Sequence, residues 1–195
     1  MSNIKNINNF PFILKSRTKS FCVVNPENKS PIGSRVNDPS SFVNFYEALN
    51  KATARNLNMG INLNGDLCGI DIDHCVDSNG IISDYAKSVI DYLDTYTEKS
   101  PSGTGIHAYL LCSPEDQYDW RKNGFLTKNV GTGLEIYQGS LDNRYFQITG
   151  DILENRNHIR VANKEFMSNL FNTYMPKKAS QSCSSTPPCR CRCTR

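Results

Sequence analysis

The sequence predicts an α+β domain built from short antiparallel or mixed strands with helices on one face of the sheet. Several runs of four to seven residues alternate apolar and polar side chains, which is the period of a strand. Other segments repeat apolar residues at intervals of three and four, which is the period of a helix. A content of 38% hydrophobic and 10% aromatic residues in 195 residues fits one folded domain better than a disordered chain.

The N-terminal quarter predicts an opening hairpin and a helix. Residues 10–15 and 21–24 are short apolar runs separated by a basic, polar turn, and they are interpreted as two strands. Asp38 followed by Pro39 is a helix start, with the aspartate as N-cap and the proline in the first helical position. The helix would bury apolar residues at positions 42, 45, 46 and 49 against a sheet.

The middle of the chain supplies the remaining predicted elements. Residues 59–63 and 67–73 flank an Asn-Gly-Asp turn at 64–66, which predicts that these two strands pair as a hairpin. Residues 82–93 predict a second amphipathic helix, and residues 166–174 a last one. Three further strands are predicted at residues 105–112, 133–137 and 144–149.

Charge and cysteine content divide the chain into a domain at residues 1–176 and a tail at 177–195. The tail carries five basic residues and no acid, so the other 176 residues hold 17 basic and 19 acidic groups. A body with this balance can contact a polyanion only through a local patch. Four of the eight cysteines lie in the tail without paired zinc-site spacing, which leaves a disordered tail or a soft-metal tail as alternatives.

The other four cysteines fall in strand-like or apolar stretches and are predicted to be reduced core residues: Cys22, Cys68, Cys75 and Cys112. No apolar run approaches the roughly 18 residues of a membrane span. The polar N-terminus lacks the pattern of a signal peptide. We therefore expect no membrane partner and a cytoplasmic protein.

An acidic pair on one predicted strand is the first candidate site. In the stretch Cys-Gly-Ile-Asp-Ile-Asp-His at 68–74, Asp71 and Asp73 share one strand face while Ile70 and Ile72 enter the core. Two adjacent carboxylates repel each other unless a hard cation such as Mg²⁺ or Mn²⁺ lies between them. The pattern predicts a metal site, and the alternative is a half-exposed edge strand with two solvated aspartates.

Two later strands have the same alternation. His107 alternates with Ile106 and Ala108, and Glu135 alternates with Leu134 and Ile136. If these strands join the acidic strand in one sheet, one face is aliphatic and the other carries three carboxylates and a histidine. Asp71, Asp73 and Glu135 are then the predicted catalytic and metal-binding residues, suited to phosphoryl transfer with divalent cations.

A small-residue loop precedes His107 and is a candidate phosphate site. Ser102, Gly103, Thr104 and Gly105 offer hydroxyl and backbone donors that suit a triphosphate, and the alternative is an ordinary turn. His107 has three possible roles, as a metal ligand, an acid or base, or a phosphate donor, and we favour the last. Arg144 could hold phosphate or form a salt bridge.

These motifs resemble those of the archaeo-eukaryotic primase superfamily, and most closely its phage and plasmid primase-polymerase branch. The resemblance rests on Gly-Ile-Asp-Ile-Asp-His around Asp71, Ser-Pro-Ser-Gly-Thr-Gly-Ile-His ending at His107, Glu-Ile-Tyr from Glu135, and Arg-Tyr-Phe-Gln-Ile-Thr-Gly from Arg144. It covers about residues 10–150. Asn-Asp-Pro at residues 37–39 also matches that branch.

The resemblance implies an N-terminal α/β unit and an RRM-like sheet that flank an active cleft. It implies transfer of nucleotides from nucleoside triphosphates to a primer 3′-hydroxyl on a DNA template in mobile-element or viral replication. Asp71, Asp73 and Glu135 would hold Mg²⁺ or Mn²⁺, and His107 would contact the triphosphate. Relatives often have serine where this chain has Gly105, and many continue into a helicase, which here would act in trans.

Two other functions explain part of the pattern. A metal-dependent nucleotide-sugar transferase also uses an Asp-x-Asp motif at a strand end, but it does not require His107 or Glu135 on neighbouring strands. A non-catalytic RRM-like nucleic-acid binder would display basic residues and stacking aromatics on its sheet. Tyr109 and Tyr137 could stack on a base, yet acids dominate the predicted face.

Overall fold

In the computed structural model, residues 4 and 6–178 are described, and they form two β-sheets with helices packed against them. The helices are α1 (Phe12–Lys15), α2 (Phe45–Arg55), α3 (Asp84–Leu93) and α4 (Lys164–Tyr174). The strands are β1 (Phe21–Val24), β2 (Pro31–Ile32), β3 (Asn58–Leu63), β4 (Leu67–Ile72), β5 (Thr97–Lys99), β6 (Ile106–Cys112), β7 (Lys128–Asn129), β8 (Leu134–Gln138), β9 (Arg144–Ile148) and β10 (Arg160–Ala162). The α+β prediction is confirmed.

The first sheet has four antiparallel strands in the order β2-β1-β3-β9. The second has the order β10-β6-β4-β8-β7, and β5 also pairs with β6. Its pairs are antiparallel except for β10, which runs parallel to β6. The mixed sheet is therefore centred on β4, which carries the Asp-x-Asp motif.

The helices α3 and α4 cover one face of the six-stranded sheet. Alternate residues of β4, β6 and β8 join residues of α3 and α4 in one buried cluster, which includes Ile70, Ile72, Val89, Ile106 and Leu170. Ser83 caps α3 and Asn163 caps α4 through their side-chain oxygens, as their sequence positions favour. The prediction of helices on one face of the sheet is confirmed.

The other face of this sheet turns toward the four-stranded sheet. Leu67 and Tyr109 pack there with Ile61, Leu63 and residues of α2 and β9 in a second buried cluster. The sheets are in close contact at Gly69, because a Cβ there would lie 2.6 Å from both Leu63 Cδ1 and Phe146 Cε2. The two sheets are thus closed together at the Gly69 end of β4.

Two of the predicted hairpins are wrong. Residues 12–15 form a single helical turn instead of a strand; Leu14 in this turn and Phe10 before it are buried, while Phe12 and Ile13 are exposed. Burial at an interval of four is helical, and so short an apolar run does not distinguish the two periods. The residues 59–63 and 67–73 do not pair as a hairpin. Their turn at 64–66 instead connects the two sheets.

The predicted helix start at Asp38 is correct only for a short 3₁₀ turn. The Asp38 side chain accepts from the Ser40 N–H and Pro39 takes the first position of the turn Pro39–Ser41. The chain then returns to an extended conformation at Phe42, and α2 begins after a new N-cap, Asn44. Asp38 and Pro39 therefore do start a helical element, but this element is separate from α2.

The boundary at residue 176 remains a prediction, because residues 179–195 lie outside the described part of the chain. Lys177 bridges to Phe125, and the Lys178 N–H donates to the Gly124 carbonyl at 2.8 Å. These two residues of the predicted tail therefore pair with the body. The four body cysteines are free and buried, as expected. Among the described residues, every helix is too short or too polar to cross a membrane.

Candidate active site

Most of the predicted site residues meet in a cavity between the two sheets, toward the end of β4 that carries the aspartates. The cavity has a volume of about 440 Å³, and both sheets contribute to its walls. β4, β6 and β8 supply Asp71, His107 and Glu135, while β9 supplies Arg144. Asp73 follows directly after β4 and also lines the cavity.

Strand register explains why these side chains converge. Asp71 lies directly opposite His107 on one neighbouring strand and opposite Glu135 on the other. Residues that are opposite in an antiparallel ladder project to the same face, so the three side chains emerge together. The predicted common face of these strands is therefore present.

Asp73 is held close to the same point by a glycine. Its N–H donates to the Gly133 carbonyl at 3.1 Å. Gly133 has a φ of +75°, and a Cβ at this position would lie 2.6 Å from the Asp73 carbonyl oxygen. Only glycine allows both the backbone conformation and the approach without strain.

Asp71 lies in an environment that disfavours its ionised form. Burial, together with the neighbouring carboxylates of Asp73 and Glu135, raises its pKa to about 7, although the positive charges of Lys128 and Lys29 oppose this rise. The side chain keeps 21% of its surface exposed. A carboxyl group that ionises this reluctantly lacks a sufficient local cation.

Lys128 supplies positive charge to two of the three carboxylates, Asp73 and Glu135. Its ammonium donates to Asp73 Oδ2 at 3.2 Å and also to Glu135 Oε1. The second oxygen of Glu135 accepts from the hydroxyl of Tyr137. Lys128 extends from the two-residue strand β7 with 44% of its side chain exposed. Lys128 was not predicted, since an isolated lysine in a polar stretch has no distinguishing pattern.

The carboxylates suit a divalent cation by type but are not arranged around one. Within residues 4 and 6–178, no three aspartate, glutamate, histidine or cysteine side chains stand close enough together to hold a metal ion. Hard carboxylate oxygens are the donors that Mg²⁺ and Mn²⁺ prefer. The ammonium of Lys128 occupies the space between Asp73 and Glu135, so a cation could use both carboxylates only after this side chain moves away.

His107 is buried and fixed in orientation. Its Nδ1 lies 3.0 Å from the Gln147 carbonyl oxygen, and its ring stacks on Phe146 with centroids 4.6 Å apart. Because a carbonyl oxygen only accepts, Nδ1 must carry a proton. Nε2 is then the nitrogen that faces Asp71 Oδ1, at 3.8 Å. Burial lowers the pKa of His107, which favours the neutral ring in the free protein.

The small-residue loop joins β5 to β6, and only part of it reaches the cavity. Ser102 lines the cavity together with Ser100 and Pro101, whereas residues 103–105 lie outside the lining. The hydroxyls of Ser100, Ser102 and Thr104 form a chain with separations of 3.0 and 2.9 Å. A Cβ at Gly105 would lie 2.9 Å from the Ile72 carbonyl oxygen, which accounts for glycine at this position.

Basic residues come from the opposite wall. Arg144 extends over the ring of Tyr137 at 5.1 Å and lines the cavity, and it forms no ion pair with an acid in the described residues. Lys29, on the turn between β1 and β2, also lines the cavity. Its carbonyl accepts from the hydroxyl of Tyr145. Lys29 was not predicted, because only the pairing of β9 with β3 brings its turn to the site.

The fold and site define an α+β protein with an acidic cleft between two sheets, rimmed by basic side chains. No protein-family model matches the sequence. The chain is 30% identical over 140 residues to a protein of Nitratiruptor phage NrS-1 named DNA primase-polymerase. This similarity confirms the resemblance found in the motifs, and the chain contains a domain of the primase-polymerase family. The alignment covers 70% of this chain but only 18% of the relative's length.

Proposed function

We propose that this chain is the catalytic domain of a DNA primase-polymerase. It would transfer nucleotides from nucleoside triphosphates to a primer 3′-hydroxyl on a DNA template. The observation that carries this proposal is the register of β4 between β6 and β8, which gathers Asp71, His107 and Glu135 at the mouth of one cavity. The similarity to the phage protein supports the same activity.

Asp71, Asp73 and Glu135 would hold Mg²⁺ or Mn²⁺, and a bound cation would activate the attacking 3′-hydroxyl and stabilise charge on the leaving pyrophosphate. The raised pKa of Asp71 supports this assignment, because the cluster has more negative charge than Lys128 and Lys29 balance. Lys128 would exchange the two carboxylates for solvent or for a phosphate oxygen. Its exposure and its flexible four-carbon side chain allow this movement.

His107 and the basic wall would orient the triphosphate. With Nδ1–H bonded to Gln147, only Nε2 is free to contact a phosphate oxygen, and it donates when the ring is protonated beside the phosphate charge. Arg144 and Lys29 face the cavity from the four-stranded sheet and would bind further phosphate oxygens. Ser102 and the hydroxyl chain at 100–104 would contribute at the edge of the cavity, with Gly103, Thr104 and Gly105 shaping the turn.

The two alternative functions have less support in the geometry. The stacking surface of an RRM-like binder would need exposed aromatics, but Tyr109 is 0% and Tyr137 is 7% exposed. A nucleotide-sugar transferase gives no reason for His107 and Glu135 to flank Asp71 on both sides. A replicative helicase as a functional partner remains part of the proposal, as does replication of a virus or plasmid.

A primer-extension assay tests the proposal. The protein is incubated with a primed DNA template, labelled deoxynucleotides or ribonucleotides, and either Mg²⁺ or Mn²⁺. We expect extension that stops when EDTA removes the metal. Absence of extension under every combination of metal and nucleotide, by protein that is folded by circular dichroism, would refute the proposed activity.

A further inference from the structure

A completely buried carboxylate lies behind the candidate site. Glu98, in the centre of β5, has 0% exposure and is the register partner of His107 on β6. A buried carboxylate is costly unless donors surround it. The proposed reaction makes no use of Glu98, so its cost requires another explanation.

Glu98 accepts four hydrogen bonds from three segments of the chain. Its Oε1 accepts from the hydroxyl of Tyr109 at 3.1 Å, and its Oε2 accepts from the hydroxyl of Tyr96 at 2.9 Å. The same Oε2 accepts from the N–H groups of Thr149 at 3.3 Å and Gly150 at 2.7 Å. All four partners donate, so the group acts purely as an acceptor.

These bonds connect the two sheets next to His107. Thr149 and Gly150 directly follow β9, which belongs to the four-stranded sheet, whereas Glu98 belongs to the six-stranded sheet. The carbonyl that receives the His107 Nδ1–H is that of Gln147, two residues before Thr149. The ring that stacks on His107 belongs to Phe146, on the same strand. Both contacts that orient His107 therefore depend on where β9 ends.

We propose that Glu98 is a positioning residue that sets the orientation of His107 by tying the end of β9 to β5. This inference rests on the proposed function in one respect, which is that His107 contacts the triphosphate. Two neighbouring bonds reinforce the tie, because Thr149 Oγ1 donates to the Lys99 carbonyl at 2.8 Å and the Lys99 N–H donates to the Asp151 carbonyl at 2.8 Å. Among these contacts, only those of Glu98 need a buried side-chain acceptor.

Two substitutions distinguish the loss of the Glu98 hydrogen-bond acceptor from the loss of its negative charge. Glu98→Leu removes both oxygens and leaves the Thr149 and Gly150 N–H groups without their acceptor. Glu98→Gln keeps one oxygen toward those N–H groups and can turn its amide toward the hydroxyl of Tyr109, which also accepts. Leu170→Ala is the matched control for lost stability, since Leu170 is buried on the opposite, helix-covered face of the sheet.

Imidazole nitrogen NMR of the full chain reports on His107 directly, because the sequence has only three histidines. In wild-type protein we expect the Nδ1–H tautomer for His107 and slow hydrogen exchange at the Thr149 and Gly150 amides. Glu98→Leu should shift the His107 signals and weaken deoxynucleoside triphosphate binding about tenfold, a change of 1.36 kcal/mol. Glu98→Gln should have nearly wild-type His107 signals and triphosphate affinity. Leu170→Ala should change neither quantity, even if its melting temperature falls as much as that of Glu98→Leu.

Wild-type His107 signals and affinity in folded Glu98→Leu protein would overturn the proposal. If that variant does not fold, fast exchange of the two amides or the opposite tautomer in wild-type protein would overturn it equally. Altered imidazole signals combined with unchanged triphosphate affinity would support the positioning role of Glu98 and instead refute the role of His107 in the proposed function. The two proposals therefore fail in distinguishable ways.

Discussion

The two faces of the six-stranded sheet differ in chemical character, although the same central strands, β4, β6 and β8, contribute to both. The face covered by α3 and α4 is uniformly apolar, and Ile70 and Ile72 are almost completely buried in it. The face toward the four-stranded sheet is apolar near Gly69 and becomes charged at Asp71, within two residues of one strand. The first face stabilises the fold through apolar burial. The second face is less stabilising, because it keeps carboxylates close together at the candidate site.

The largest expected effect is on the free energy of unfolding, when substitutions at two adjacent residues of β4 are compared. Ile70→Ala should lower the free energy of unfolding by about 2–5 kcal/mol, because it leaves a cavity in the helix-covered core. Asp71→Asn should instead leave the metal-free protein as stable or more stable. Chemical denaturation in EDTA measures both, and a large loss for Asp71→Asn would contradict the contrast.

The effect of Asp71 should depend on pH with a defined sign. Its pKa rises from an ordinary 3.8 to about 7 in the folded protein, so the folded state binds more protons between these values. Wild-type stability therefore falls as pH rises from about 4 to 7, and the loss remains above 7. We expect Asp71→Asn to be more stable than wild type at pH 8 by up to about 4 kcal/mol, at about 1.4 kcal/mol per pKa unit. The difference should vanish near pH 4.

His107→Ala tests the part of the site that contacts phosphate. A lost hydrogen bond to a charged group costs on the order of 1.5–3 kcal/mol, so triphosphate binding should weaken by about 10-fold to 150-fold. Manganese affinity should change little. Calorimetric titration measures both, with His158→Ala as a control because His158 is half exposed and lies beside Asp94. Collapse of manganese binding instead would make His107 a metal ligand.

Lys128→Met tests whether the ammonium competes with metal for Asp73 and Glu135. Without this competitor, Mn²⁺ should bind severalfold more tightly in the absence of nucleotide. The metal-free protein should lose at most about 1 kcal/mol of stability, since the pairs are partly exposed. Lys122→Met is the control, because the ion pair of Lys122 with Asp119 lies at the surface, away from the candidate site. Weaker manganese binding would show that Lys128 organises the acids.

The smallest expected effect concerns the C-terminal tail. Because Lys177 and Lys178 pair with residues 124 and 125, the cut should follow Lys178. Removing residues 179–195 deletes three arginines and no acid. The slope of the logarithm of the single-stranded DNA binding constant against the logarithm of the salt concentration should therefore become less negative by up to about 2. Extension at saturating primed DNA should survive. A folded truncation without activity would place the tail within the catalytic apparatus.

Sequence was most informative where local periodicity decides the structure. Alternation along β4, β6 and β8 predicted the common face of Asp71, His107 and Glu135, and helical spacing predicted α3 and α4. It failed where long-range pairing decides. The turn at 64–66 has the composition of a hairpin loop, but close packing of Leu63 against Gly69 places the flanking strands in facing sheets. Lys29, Lys128 and Glu98 reach the site region only through those sheet contacts, and no short pattern marks them.

The central claim is that the acidic end of this sheet face binds metal for nucleotide transfer. The most direct measurement compares primer extension by wild type, Asp71→Asn, Asp73→Asn and Glu135→Gln in Mg²⁺ and in Mn²⁺, with folding checked by circular dichroism. Asp84→Asn is the matched control, because that carboxylate is fully exposed at the start of α3. We predict extension at background level for the three site variants and at the wild-type level for the control. Near-wild-type extension by the site variants would contradict the claim.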